Sequence, residues 1–135
     1  MRRCNAWVGW FLVVNGVYDV ACAGCIRCGC CGAISAMHLD VLTGGGGWEG
    51  NVLAVHMASC WVLTYGCVRL AAGCSRSDAL DALAVFSYLV EGVEFLFPPS
   101  GEITCNSVLV NVLCVVCGAC VALRGGRARE IWQFY

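Results

Sequence analysis

The chain has 135 residues, of which 60% are hydrophobic and only 13% are charged, and its mean hydropathy is +0.77. A water-soluble domain of this size cannot hide so much apolar surface. The net charge of −1, with no basic patch, excludes an electrostatic nucleic-acid binder. All eight basic residues are Arg, and Val, Ala, Gly and Cys are abundant. That bias is what GC-rich coding produces, so some of the 13 cysteines are expected to act as small apolar residues.

A bilayer-crossing helix needs about 20 mostly apolar residues, and four stretches meet that length. The first covers 6–26, "AWVGWFLVVNGVYDVACAGCI". Arg2 and Arg3, this apolar run, and Ala21-Cys22-Ala23 before Gly24 also fit a signal-peptide layout. Asn15 and Asp19 fit poorly in such a signal. The end of the span runs into "CAGCIRCGCC", in which Cys22, Cys25, Cys28, Cys30 and Cys31 crowd into ten residues. Residues 33–42 follow, a semi-apolar stretch too short to span, expected to lie at the surface or re-enter. The turn-type segment "GGGGWEG" closes this connection.

The second span covers 52–72, and "GCSRSD" separates it from the third, 79–97. "PPSGE" then leads to the fourth, 103–123. The expected fold is an all-α integral membrane four-helix bundle, one domain over 1–135. Arginine placement gives its orientation. Arg2, Arg3, Arg76, Arg124, Arg127 and Arg129 fall on one side of this arrangement, with Arg69 at the same end of span two; only Arg27 falls on the other. The positive-inside rule therefore puts both termini on the cytoplasmic face. Trp7, Trp10, Trp48, Trp132 and Tyr135 fall near the expected interfaces, where aromatic belts form.

Small residues repeat at seven-residue intervals, which return to nearly the same side of a helix. Gly9, Gly16 and Ala23 mark span one, and Ser59, Gly66 and Gly73 mark span two. Such seams let helices approach closely in lipid. Cys60, Cys67 and Cys74 run beside the second seam and are expected to pack with it. Cys114, Cys117 and Cys120 also read as packing residues, because one straight helix cannot converge three thiolates on a metal.

Polar residues inside spans normally face the bundle interior and have partners. Asp19, His56, Glu91, Glu94 and Asn106 all fall in the outer half. A bundle enclosing Asp19, His56, Glu91 and Glu94 reads first as an internal polar network that sets helix register; the alternative is a site that binds a cation, relays protons or holds a polar headgroup. Arg69 is expected to snorkel or to pair with Asp81. Cys22, Cys25, Cys28, Cys30 and Cys31, with Cys105 at the start of span four, are redox or disulfide candidates if the outside is oxidising.

Four spans with a cysteine-bearing first outer loop resemble the plan of membrane thiol oxidoreductases of the vitamin K epoxide reductase or DsbB type. The resemblance covers layout only and implies a redox pair near the outer face. No catalytic motif and no metal site is read from the residues, and no cofactor is identified. The leading expectation is a non-catalytic binding or assembly component, partnered by the bilayer and by a membrane protein or a second copy. A transporter or proton- or cation-binding protein is the alternative, and a thiol–disulfide enzyme the second alternative.

Overall fold

The computed structural model describes residues 2–33, 38–39, 51–75, 77–97 and 105–132. These form four long helices: α1 (Arg2–Cys28), α2 (Val52–Cys74), α3 (Asp78–Leu96) and α4 (Cys105–Trp132). α1 and α2 contain their expected spans, α3 stops one residue before 97, and α4 begins two residues after 103 and runs nine past 123. Two segments, Ala6–Cys28 and Val52–Cys74, are long and apolar enough to cross a membrane. The other two fall short for different reasons. α3 carries Asp78, Asp81, Glu91 and Glu94, and the apolar part of α4, Val108–Arg124, is shorter. Of the expected re-entrant stretch 33–42, only Ala33, His38 and Leu39 are described, and all three are helical.

Helix ends follow local chemistry. The Asn51 side chain caps α2 by accepting from the Ala54 amide at 3.0 Å, which satisfies one donor that the first turn leaves unpaired. At the other end of α2, Arg124 Nη2 donates to the carbonyls of Ala72 and Ser75 at 2.9 and 2.8 Å. A cation is favoured there because the helix dipole is negative at its C-terminus. Arg124 Nε also pairs with Asp81 at 3.1 Å. Asp81 lies in the first turn of α3, where an anion is favoured. One arginine thus joins the end of α2, the start of α3 and the body of α4.

The helices pack chiefly as two pairs, α1 with α2 and α3 with α4, joined through α2 and α3. The first pair is antiparallel and close, along the seam of small residues. A Cβ added to Gly16 would lie 2.8 Å from the Gly66 carbonyl oxygen and 2.8 Å from the Leu70 amide nitrogen. A Cβ added to Gly66 would lie 3.0 Å from both the Gly16 carbonyl oxygen and the Val20 amide nitrogen. Backbone meets backbone here, so no side chain can move aside. Gly9 faces Gly73 in the same way, while Ala23 and Ser59 are buried toward the end where α1 stops and α2 starts.

The cysteine stripe of α2 departs from expectation. Cys60, Cys67 and Cys74 are exposed rather than packed. Each lies one residue, about 100° of helix rotation, from the seam row, and that rotation carries it off the α1 contact. Cys114 and Cys117 are buried as packing residues, whereas Cys120 is exposed.

Two apolar clusters flank the middle. One holds Leu12, Ala72, Ala84, Tyr88, Cys114, Cys117 and Val121. The other holds Cys22, Ala23, Ile26, Ala58 and Val62, with Leu39 of the connection seated among them.

The seam sets up a direct contrast. Gly16→Ala should lower the thermal midpoint, costing about 1–3 kcal/mol as overpacking. Nothing lies within 4 Å of a Cβ at Gly24, so Gly24→Ala should leave stability equal or raise it through helix propensity. Thermal unfolding followed by circular dichroism measures both.

Candidate functional site

Between the two clusters lies a polar centre built on Arg69, which is 1% exposed. Its three nitrogens reach three acceptors. Nη1 donates to Asp19 Oδ2 at 2.7 Å, Nη2 to Glu91 Oε2 at 2.5 Å, and Nε to Ser87 Oγ at 3.1 Å. The faces of the guanidinium are covered as well. The Tyr88 ring centroid is 3.9 Å from Arg69 Cζ and the Tyr65 centroid is 5.4 Å away. A planar cation hydrogen-bonded at its edge and stacked on its faces is satisfied away from water.

A second tier holds these partners in place. Tyr88 Oη donates to Asn15 Oδ1 at 2.6 Å, and Asn15 Nδ2 donates to Asp19 Oδ1 at 3.4 Å. Ser87 Oγ donates back to the Ala84 carbonyl at 2.8 Å. Cys114 Sγ lies 3.6 Å from Glu91 Oε2 and donates to it. α1 supplies Asn15 and Asp19, α2 supplies Tyr65 and Arg69, α3 supplies Ser87, Tyr88 and Glu91, and α4 supplies Cys114. All four helices meet at one charge.

Helix geometry explains the meeting. Side chains lean toward the N-terminus of their own helix. α1 and α2 are antiparallel, so Asp19 leans toward the end that carries the chain N-terminus and Arg69 leans the opposite way. Their backbone positions differ in depth, but their charged atoms converge. The expectation that Arg69 snorkels or pairs with Asp81 is therefore corrected: Arg69 is buried on Asp19 and Glu91, and Asp81 belongs to Arg124.

The other predicted residues are distributed differently. Asp19 and Glu91 come together. His56 is exposed beside Arg27, Asn51, Val52 and Val55, where α1 ends and α2 begins. Glu94 is half-buried and lines a cavity of about 30 Å3 with His38, Tyr65, Glu91 and Phe95. That volume holds one or two water molecules. His38 Nε2 and Tyr65 Oη have no hydrogen-bond partner among the described residues. His38 packs edge-on against Phe95 at 6.4 Å between centroids. Asn106 and Cys105 belong to α4, but their side chains lie outside the described residues. None of the described cysteines is in a disulfide: Cys22 is buried, Cys25 half-buried, and Cys28, Cys30 and Cys31 are exposed.

A cavity of about 430 Å3 lies at the opposite end, around Trp10, Val13, Ser75, Asp81 and Arg124. Sequence reasoning did not place a cavity there. It also missed Tyr65, Ser87 and Tyr88 as partners of the central charge. One signal was available. Arg69 is the sole basic residue inside any of the four predicted spans, and two buried carboxylates need a cation.

No protein-family model, no curated protein and no solved structure matches the chain.

Two outcomes follow from this geometry. Arg69→Met leaves Asp19 and Glu91 buried without their cation and should cost about 3–5 kcal/mol. Adding Asp19→Asn and Glu91→Gln to it should recover much of that loss, as read from thermal midpoints of the single and triple variants. The second outcome concerns pH. Burial pushes the His38 imidazole below its ordinary value of 6.5, with the Glu91 charge opposing. The neutral form is favoured in the fold, so this contribution is present above the ordinary value and is lost as pH falls below it. His38→Gln should flatten the fall in thermal midpoint between about pH 7 and about pH 5.

Proposed function

We infer that the chain is a small polytopic membrane protein whose four helices cross a bilayer with both termini on the cytoplasmic face. Within that membrane it acts as a non-catalytic binding or assembly component. One observation carries this reading: polarity is distributed inside out. Asp19, Arg69, Asp81 and Ser87 are buried, while Phe11, Val14, Met57, Phe86, Leu89 and Val115 are turned outward. Water would drive the opposite sorting, whereas lipid favours it, because a charge facing hydrocarbon is expensive and a leucine there is not. Trp7 and Trp10, near the start of α1, are exposed, which suits an aromatic belt at the inner interface.

The Arg69 centre favours assembly over transport. Asp19 and Glu91 are each already engaged by Arg69, and Asp19 accepts from Asn15 as well. The centre therefore reads as a lock that sets helix register, and the outward apolar faces are left to contact lipid, a membrane-protein partner or a second copy. The thiol–disulfide reading rests on the outer cysteines alone.

The experiment combines membrane extraction with ion flux. The protein should stay in the pellet through alkaline carbonate, and an impermeant maleimide should reach Cys28 from the outer face only. Reconstituted vesicles should pass no more protons or cations than empty ones. Release into the carbonate supernatant would sink the membrane reading. Flux that is abolished by Glu91→Gln would replace the assembly reading with transport.

A further inference from the structure

The cysteine-rich end of α1 is not used by the Arg69 centre, and its backbone gathers it into a cluster. Helix α1 ends in a reversal built by glycine. Gly29 takes φ +64°, the left-handed conformation that glycine adopts without penalty. The Cys30 amide donates to the Cys25 carbonyl at 3.1 Å, and the Gly29 amide to the Ile26 carbonyl at 3.4 Å. This nested pair is the Schellman pattern of a helix C-terminus. It folds the chain back over the last turn of its own helix. Cys31 then takes φ +56°, which is uncommon for a residue with a Cβ.

The consequence is chemical. The Sγ atoms of Cys25, Cys30 and Cys31 all lie within 4.8 Å of one another. A straight helix cannot converge three thiols, and the reversal after Cys28 removes that obstacle. Three sulfurs bound to one metal at about 2.3 Å in a trigonal plane stand about 4 Å apart. Less than an ångström of closure separates the observed cluster from that arrangement. Cys30 and Cys31 are exposed and Cys25 is half-buried, so an ion reaches the cluster from solvent.

We propose that Cys25, Cys30 and Cys31 form a three-thiolate site for a thiophilic metal ion, Cu(I) in three-coordination. Soft thiolates select Cu(I), zinc and iron–sulfur clusters among biological metals. Zinc and the clusters ask for four protein ligands at a structural site, and the described group supplies three. A disulfide would use two of these thiols, whereas one metal ion uses all three. Each thiol gives its proton to solvent as its sulfur bonds to the ion, so no oxidant or reductant is needed once the metal arrives as Cu(I), and affinity rises with pH. The site does not depend on the membrane reading, because its geometry lies within one helix end.

The test uses the full-length protein, reduced and kept anaerobic, titrated with Cu(I) against a chromophoric Cu(I) chelator and separately with Zn(II). One equivalent of Cu(I) should bind, with thiolate-to-copper charge-transfer absorption in the near ultraviolet. Cys25→Ser, Cys30→Ser and Cys31→Ser should each weaken binding at least about ten-fold, as losing a ligand costs no less than losing a ligand's support. Cys28→Ser and Cys60→Ser should bind as the parent does. Circular dichroism on each variant separates a lost ligand from a lost fold. Stoichiometric binding that survives all three substitutions would overturn the site. So would an absence of Cu(I) binding in the reduced protein, or tight zinc binding that Cu(I) does not displace.

Discussion

A guanidinium buried among four helices stays charged only if its edge, its faces and its charge are all answered, and the rest of this structure is arranged around that requirement. Arg69 has acceptors on α1 and α3 and aromatic rings on α2 and α3. Breaking such an arrangement is expensive because what remains is an unpaired buried charge. Forming it adds little over a well-packed apolar core. Its effect is therefore specificity: only one register of the helices brings Asp19, Glu91 and Ser87 to the same cation. A one-turn slip of α1 against α2 would move Asp19 by about 5.4 Å and leave its buried carboxylate without Arg69.

The glycine seam makes this register reachable. Because Gly16 and Gly66 put backbone against backbone, α1 and α2 lie close enough for Asp19 and Arg69 to bond directly. α3 and α4 form the second pair and meet the first through α2. That second pair brings Ser87, Tyr88, Glu91 and Cys114 to the other side of the cation. Steric and electrostatic constraints thus act at the same level of the bundle. At the far end Arg124 repeats the device on a smaller scale, tying the end of α2 to Asp81 of α3.

The two ends differ in chemistry. Among the described residues, the end where α1 begins has the Arg124–Asp81 ion pair and a broad cavity beside Trp10. The opposite end has the cysteine cluster, an imidazole buried against Phe95, and a small cavity that reaches Glu91. Leu39 packs there among Cys22, Ala23, Ile26, Ala58 and Val62 of α1 and α2. The arrangement separates a fixed charge in the middle from the clustered thiols at the end where α1 stops.

The sequence by itself determined the helices, their order and their close faces. Apolar length alone located four helices to within a few residues at most ends, and the seven-residue spacing of Gly9, Gly16 and Ala23 marked the face that packs. Those properties are local: they depend on what repeats along one helix. The polar centre was legible only in part. Asp19 and Glu91 were visible as costly residues inside apolar runs, but their partner was not, because side-chain lean in antiparallel helices joins residues whose backbones lie at different depths. The burial of Cys114 and the exposure of Cys67 likewise depended on rotation of each helix against its neighbours, which spacing within one helix leaves open. The convergence of Cys25, Cys30 and Cys31 was decided by the left-handed turn at Gly29. "CAGCIRCGCC" spells out the thiols, but only the folded backbone brings three of them to one point, because convergence is a property of the turn and not of the spacing.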